Sequence, residues 1–358
     1  MTSDDSIIRA EHAAADVLYM RRCLQLARLG EELVAPNPMV GAVIVHDGRI
    51  IGEGWHRRFG SWHAEPNAIR SVRDRSLLPS STLYVSLEPC AHYGKTPPCA
   101  ELIVREHIGR VVVGMLDPNP LVAGRGVELL RQAGTEVVTG VLEAECRALN
   151  KRFLMLHEHH RPYITLKWAQ SADGLLDRCR TSAAEPVAVI SNRVTKQLVH
   201  RLRAESMAIL VGTQTALFDN PGLRTTRWSG RNPLRVLIDR SLRLPAGSQL
   251  HDEQAPTLVF SELSAYPFET HAEVVQIDFR TDIWPQVMQH LAKRQIHSLI
   301  VEGGARTLQS LLDAGLYDEL HVEVGMSRLG EGVQAPKADL TGASMQIFDQ
   351  HRLYTLIR

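Results

Sequence analysis

Three side chains that could hold a metal ion and one that could move protons stand close together in the first third of the chain: His63, Cys90, Cys99 and Glu65. One histidine and two thiolates fill three corners of a tetrahedral zinc site and leave the fourth for water, which is the arrangement of a catalytic site. A zinc ion brings the pKa of its water toward neutrality and so supplies a nucleophile at ordinary pH. Glu65 is not needed as a ligand. It could accept that water's proton and deliver it to a ring nitrogen and a departing amine, the division of labour that hydrolytic deamination needs. Two blander readings compete with this one. His92 could close the shell of a structural zinc, or the two cysteines could be unrelated core thiols beside a helix-cap histidine. Cys23, Cys146 and Cys179 lack ligand spacing and read as core or surface thiols.

The spacing is close to the H-x-E…P-C-x-x-C pattern of zinc nucleobase deaminases, with one departure. Eight residues, 91–98, separate the two cysteines where that pattern has two. Within them Lys95 could meet a substrate phosphate as a point charge. Gly94-Lys95-Thr96 lacks the upstream glycine of a triphosphate-binding loop. Asn37, in a Pro-Asn-Pro turn, could hydrogen-bond a pyrimidine or ribose edge. Gly124-x-Gly126 is too short for a dinucleotide fingerprint and reads as a turn. Farther along, Glu302-Gly303-Gly304 follows an apolar run, and its glycines would let backbone approach a phosphate at a helix start.

These residues need elements to position them. A polar leader over 1–16 precedes a helix around Val17–Leu29, and Met39–Val45 reads as a buried strand. Asp47-Gly48 is a hairpin signal returning through Arg49–Gly54. His63–Val72 is a helix starting at the candidate ligand, and Thr82–Leu87 is a strand running straight into Glu88-Pro89-Cys90. Helix 100–107, strand 110–115, helix 125–133, strand 135–142 and helix 143–150 follow. Strands alternating with helices predict an α/β domain with a mainly parallel sheet. Residues 151–162, including His157-Glu158-His159-His160, show no clear period and read as a connector; the three histidines could bind metal or simply be solvated.

A second α/β series begins at Tyr163. It has strands at 163–167, 208–211, 234–239, 257–260, 273–277, 298–301 and 319–324, helices at 193–206, 284–294 and 305–315, and a closing hairpin over 346–358. The expected domains are 1–150 and 151–358.

At 358 residues with 44% hydrophobic and 22% charged residues, the chain fits a two-domain globular protein. Forty basic and forty acidic residues balance to zero, which argues against a nucleic-acid partner. No apolar run is long enough to span a membrane. Met1–Ser6 has no signal-peptide pattern, and five cysteines suggest no disulfide framework, so the expected location is cytoplasmic.

The first domain resembles the bifunctional riboflavin-biosynthesis deaminase–reductase family. The matching residues are Ala35–Gly41, Gly52–His56, His63-Ala64-Glu65, the Leu87–Cys99 segment with its long gap, Asp117–Pro120 and Gly124-Arg125-Gly126. The second domain resembles the family's reductase through Lys167-Trp168-Ala169, Ser171–Gly174, Leu202-Arg203-Ala204, Val211–Thr215, Asp219-Asn220-Pro221 and Val301–Gly304.

The resemblance implies a cytidine-deaminase-like three-layer α/β/α domain followed by a dihydrofolate-reductase-like α/β domain. It implies one zinc ion, held by His63, Cys90 and Cys99 with Glu65 catalytic, and NADPH as the second cofactor. The implied substrate is a phosphoribosylated diaminopyrimidine that loses its 2-amino group and then has its ribosyl chain reduced to ribityl. Asn37, Lys95, Arg203, Leu223, Arg227 and Glu302 would face substrate. Ala169, Thr215, Asp219, Gly304, Ala305, Arg306 and Thr307 would face the cofactor. A homodimer or larger homo-oligomer through the reductase domain is implied as well.

The second half also departs from the family. Val189-Ile190-Ser191 replaces Trp-Ile-Thr, and Leu223-Arg224-Thr225-Thr226-Arg227 shifts an arginine by one, which leaves both Arg224 and Arg227 open as the phosphate contact. Ser327-Arg328-Leu329-Gly330 replaces a more apolar stretch. These substitutions motivate an alternative in which the second domain serves only binding or dimerisation.

Overall fold

The computed structural model describes residues 3–93, 97–119 and 123–358, and its contacts divide into two compact units, Met1–His159 and His160–Arg358. The first contains α1 (Ser3–Arg28), β1 (Gly41–His46), β2 (Arg49–Trp55), α2 (Ala64–Ser71), β3 (Thr82–Leu87), α3 (Cys99–Arg105), β4 (Arg110–Met115), α4 (Arg125–Gln132), β5 (Glu136–Thr139), α5 (Glu143–Leu149) and α6 (Lys151–His159).

Its sheet runs β2-β1-β3-β4-β5. β1, β3 and β4 are near-continuous apolar runs because both of their faces are covered. Ala42, Ile44, Leu83, Val85, Val111 and Val113 meet α2, α3 and α4 on one face. Val43, Val45, Tyr84 and Val112 meet Met20 and Cys23 of α1, Cys146 of α5 and Leu154 of α6 on the other. This is the expected α/β/α sandwich. Asp16 fastens α1 to the sheet, accepting two hydrogen bonds from Arg110 at 2.9 and 2.8 Å and one from the Tyr84 hydroxyl at 3.0 Å.

Three expectations change here. The sheet is evenly mixed and not mainly parallel, because β1 pairs antiparallel with both β2 and β3 while β3-β4-β5 are parallel. The short Asp47-Gly48 hairpin dictates the first of those pairings. The leader is helical from Ser3, in keeping with an Ala-rich stretch free of Gly and Pro. Residues 151–159 form α6, which buries Phe153, Leu154 and Leu156. Three apolar residues crowded into little more than a turn show no 3.6-residue period.

The second unit contains β6 (Tyr163–Gln170), β7 (Leu175–Asp177), α7 (Arg193–Glu205), β8 (Ala208–Gly212), α8 (Thr213–Asp219), β9 (Leu234–Ile238), β10 (Thr257–Ser261), β11 (Ala272–Gln276), α9 (Ile283–Lys293), β12 (Ser298–Gly303), α10 (Ala305–Asp313), β13 (Glu319–Val324), β14 (Val333–Gln334), β15 (Ser344–Phe348) and β16 (His351–Ile357). Nine strands form one sheet, β11-β10-β9-β8-β12-β6-β13-β16-β15, and β14 pairs with β7. The sheet is parallel from β11 to β13, with β16 and β15 added antiparallel by the C-terminal hairpin. Trp284, Val287, Met288 and Leu291 of α9 with Leu308 and Leu311 of α10 cover one face. Ala216, Leu223, Leu242, Leu244, Leu250 and Tyr266 pack on the other.

Candidate metal centre and nucleotide crevice

β3 ends at Leu87, and the chain turns through Pro89 to bring Cys90 to the start of α3, where the Cys99 N–H lies 3.4 Å from Cys90 Sγ and the Ala100 N–H donates to the Cys90 carbonyl at 3.1 Å. His63 stands at the N-cap of α2. Its Nδ1 is 3.6 Å from Cys90 Sγ and 3.4 Å from Cys99 Sγ. Zinc bonds of about 2.1 Å to nitrogen and about 2.3 Å to sulfur make a tetrahedral edge of about 3.6 Å, so the three atoms fit one ion.

Among the described residues these are the one group of three such side chains gathered within 4.8 Å. His92 is exposed and outside the cluster. His157 lies against the Phe153 ring, and Glu158 pairs with Arg147.

The electrostatics suit a cation. Hydrogen bonding from Cys99 and His63 pulls the Cys90 thiol down to about 4, the thiolate form that binds metal. Cys99 is held up by its hydrogen bond to Cys90 and by burial. His63 is raised to about 9 by the Cys90 hydrogen bond. Glu65, in the first turn of α2 and 3% exposed, is pushed up to about 7 by burial. A carboxyl poised near neutrality can both take and return a proton.

Around this centre, Asn150 closes a two-bond ring on the backbone of Met39, at 2.8 and 3.0 Å, and Ser86 accepts from the Gly41 N–H at 3.1 Å. The segment carrying Asn37 is thereby held, and Asn37 Nδ2 donates to His56 Nε2 at 3.1 Å. His56 Nδ1 in turn faces the Trp62 carbonyl at 3.0 Å, which places the ring proton there. Lys95 lies outside the described residues.

Glu88 escaped the sequence reading. It is 4% exposed and accepts from four backbone N–H groups, those of Asp117, Gly124, Gly126 and Val127, at 2.9–3.1 Å. A glutamate directly before Pro-Cys was the available signal.

In the second unit, the parallel strands β8 and β12 end side by side, and the C-terminal ends of strands are the usual place for ligands in such sheets. The turns after β8 and β12 face each other there. A Cβ on Gly304 would lie 2.8 Å from Thr215 Oγ1, and one on Gly212 would lie 2.5 Å from Thr307 Oγ1. Thr215, Gly304 and Thr307 therefore converge, with Ala305 and Arg306 in the same first turn of α10. Asp219, one turn beyond Thr215 on α8, is engaged by Arg180, which also pairs with Asp177 at 2.6 Å. Ala169 sits near the end of β6.

Arg203 of α7 grips Glu302 of β12 with two hydrogen bonds, at 2.7 and 2.6 Å. Leu223 buries its side chain in the core, so it can offer only backbone to a ligand. Arg227 is exposed. Val189, in the place of the family's tryptophan, is 74% exposed. Lys167, also missed as a site residue, has its amine lowered by burial, opposed by Glu302 and Glu323.

The first unit thus has the layered sheet and His-Cys-Cys cluster of a nucleobase-type deaminase, and the second brings the turns after two neighbouring parallel strands together at the place where such sheets bind nucleotides. Residues 14–115 match the cytidine and deoxycytidylate deaminase zinc-binding region, and residues 162–346 match the RibD C-terminal domain. The riboflavin biosynthesis protein RibD of Aquifex aeolicus is 40% identical over 323 residues, 89% of each chain. That of Escherichia coli is 38% identical over 88% of this chain and 89% of its own. The crystal structure of a diaminohydroxyphosphoribosylaminopyrimidine deaminase/5-amino-6-(5-phosphoribosylamino)uracil reductase from Thermotoga maritima superposes with a TM-score of 0.85 at 36% identity, covering 97% of this chain and 99% of that one. Acinetobacter baumannii RibD gives 0.83 at 33% identity over 96% and 99%.

The chain belongs to the RibD family of riboflavin biosynthesis proteins. It is a bifunctional enzyme joining a zinc-dependent deaminase to an NADPH-dependent reductase. A binding-only second domain is not favoured, since the relatives match across both units.

Proposed function

We propose that the first unit removes the 2-amino group of 2,5-diamino-6-(5-phosphoribosylamino)pyrimidin-4(3H)-one as ammonia, and that the second reduces the ribosyl chain of the resulting 5-amino-6-(5-phosphoribosylamino)uracil to ribityl. The observation that carries the first step is the meeting of His63 Nδ1, Cys90 Sγ and Cys99 Sγ beside the buried Glu65. A zinc ion held by those three would supply an activated water. Glu65 relays two protons in turn at its carboxylate: the first, from the attacking water, goes to the ring nitrogen, and the second, from the hydroxyl left on the ring carbon, goes to the leaving amine. Asn37, oriented by His56, offers its amide to the pyrimidine or ribose edge, and Lys95 supplies positive charge for the phosphate.

For the second step, hydride chemistry is the cofactor's and the protein's work is orientation. Thr215, Asp219, Ala169 and residues 304–307 line the cofactor's place. Arg203 and Glu302 form a rigid pair facing the ribosyl group, with the backbone of Leu223 beside them and Arg227 for the phosphate. Lys167 Nζ can donate the proton that reduction of the open sugar requires. The thiolate ligands call for a reducing compartment, and we place the enzyme in the cytoplasm as a homo-oligomer assembled through the second unit. Its partners are small molecules, with no nucleic acid or membrane among them; no helix among the described residues is long and apolar enough to cross a membrane.

The test is an assay of the purified chain for ammonia release and NADPH oxidation, with bound zinc quantified. Glu65→Gln should keep its zinc and lose ammonia release by about 10²-fold or more, while still oxidising NADPH when given the deaminated intermediate. Near-normal ammonia release by that variant would sink the assignment.

A further inference from the structure

Two side chains on one face of α7, three residues apart, close on the arm that follows α8. His200 Nδ1 accepts from the Thr226 N–H at 3.0 Å, and Arg203 Nη1 donates to the Arg224 carbonyl at 3.0 Å. The start of the arm is fixed elsewhere. Gln249 donates through Nε2 to the Asn220 carbonyl at 2.6 Å and accepts from Arg224 Nη2 at 3.2 Å. Leu223 is buried, with φ +49 in the left-handed region where a branched side chain is strained. Arg224 is thus committed to holding the arm together.

Farther on, Thr225 closes a small loop on Asn232 and the Arg231 carbonyl, at 2.9 and 3.1 Å. Arg227 is left exposed, and among the described residues no carboxylate or carbonyl engages it.

We propose that His200 is a positioning residue of the reductase, holding the Thr226 backbone so that Arg227, and not Arg224, is presented to the substrate's phosphate. The inference rests on the reading of Arg227 given above. It bears on the arginine shift in this chain, because the point pinned to α7, Thr226, lies immediately before Arg227. An imidazole suits the task because it accepts without adding charge. The groups facing it are Arg203 on its own helix, Glu302 at the end of β12 and Arg227 on the arm, and burial with the nearby Arg203 lowers it to about 4. At neutral pH the ring is therefore an uncharged acceptor with its proton on Nε2.

The experiment is steady-state kinetics of the reductase in the full-length, zinc-loaded chain with 5-amino-6-(5-phosphoribosylamino)uracil, and NADPH binding followed by fluorescence. His200→Ala should raise KM about tenfold, the size of one lost net hydrogen bond, with kcat within about twofold and NADPH affinity unchanged. His200→Asn, whose Oδ1 stands near the place of Nδ1, should recover most of the loss. Arg227→Ala should raise KM at least as far, and the double variant His200→Ala/Arg227→Ala should be no worse than Arg227→Ala alone, because both act through one contact.

Arg227→Ala raising KM while His200→Ala does not would overturn the proposal, and so would multiplicative effects in the double variant or failure of His200→Asn to recover. An unaltered KM in Arg227→Ala would overturn the phosphate reading and this proposal together. Weakened NADPH binding in both His200 variants would show a general structural role instead.

Discussion

Glu88 shows how one buried side chain can tie together separate stretches of backbone, the Asp117 N–H after β4 and the N–H groups of Gly124, Gly126 and Val127 at the start of α4. Its two oxygens satisfy four backbone N–H groups between Asp117 and Val127, next to Cys90. A glutamine in its place would present an amide NH₂ to donors that need an acceptor. Leaving one or two buried donors unmatched costs about 1–3 kcal/mol each. Glu88→Gln should therefore lower the melting temperature of the first unit and cut ammonia release, while NADPH oxidation of the deaminated intermediate persists; a Glu88→Gln protein that melts and deaminates like the parent would refute this.

The cluster of His63, Cys90 and Cys99 with Glu65 beside it was legible in the sequence because those residue types are rare and their local pattern is chemically specific. Glu88 was not. Its partners lie 29–39 positions away, and a lone glutamate looks the same in sequence whether it faces water or a ring of amides. Arg203 and Glu302 were both named by resemblance, but only the structure joins them, across 99 positions. The same holds for His200, whose partner is a backbone N–H on a loop that no helix period could place.

Elements were easiest to read where the chain alternates between long apolar strands and amphipathic helices. β3, β4 and β13 fall on the residues expected. The short pieces escaped: α8, packed between two turn signals, and the small β7–β14 ladder, which exists only through a tertiary pairing. Strand direction escaped too, since a hairpin at Asp47-Gly48 and the pairing of β1 with β3 are separate facts.

One element junction carries a sharp steric demand. Gly126, at the second position of α4, packs so closely on the Cys90-bearing turn that an added Cβ would stand 1.9 Å from the Pro89 carbonyl oxygen. Backbone cannot yield as a flexible side chain would, so Gly126→Ala must displace either α4 or the turn that aims Cys90. We expect zinc content and ammonia release to fall together, with overpacking costing about 1–3 kcal/mol and reductase turnover retained. Full zinc occupancy with wild-type deamination in the purified variant would show that the contact is not needed.

At the scale of the whole molecule, the nine-stranded sheet ends in two edges that differ in protection. β11 places Glu273 at its edge, paired with Arg294. β15, Ser344–Phe348, carries no charge and no proline, the features that usually keep an edge from pairing. Its register with β16 sets Met345 opposite Tyr354 and Ile347 opposite Arg352, and β16 in turn sets Tyr354 opposite Val322 of β13. The apolar row that begins in the core at Trp168 and Val322 therefore runs outward through Tyr354 to Met345 and Ile347, which are 49% and 62% exposed. An uncharged strand edge flanked by an open continuation of the core favours another strand of the same kind, and a second copy of the chain supplies one. Light scattering coupled to gel filtration should accordingly give at least twice the mass of the 358-residue chain. Ile347→Lys, which places a charge on that edge, should shift the mass toward the monomer at equal concentration while ammonia release per chain is kept. A parent protein that elutes as a monomer, or an Ile347→Lys variant with unchanged mass, would rule out β15 as the joining edge.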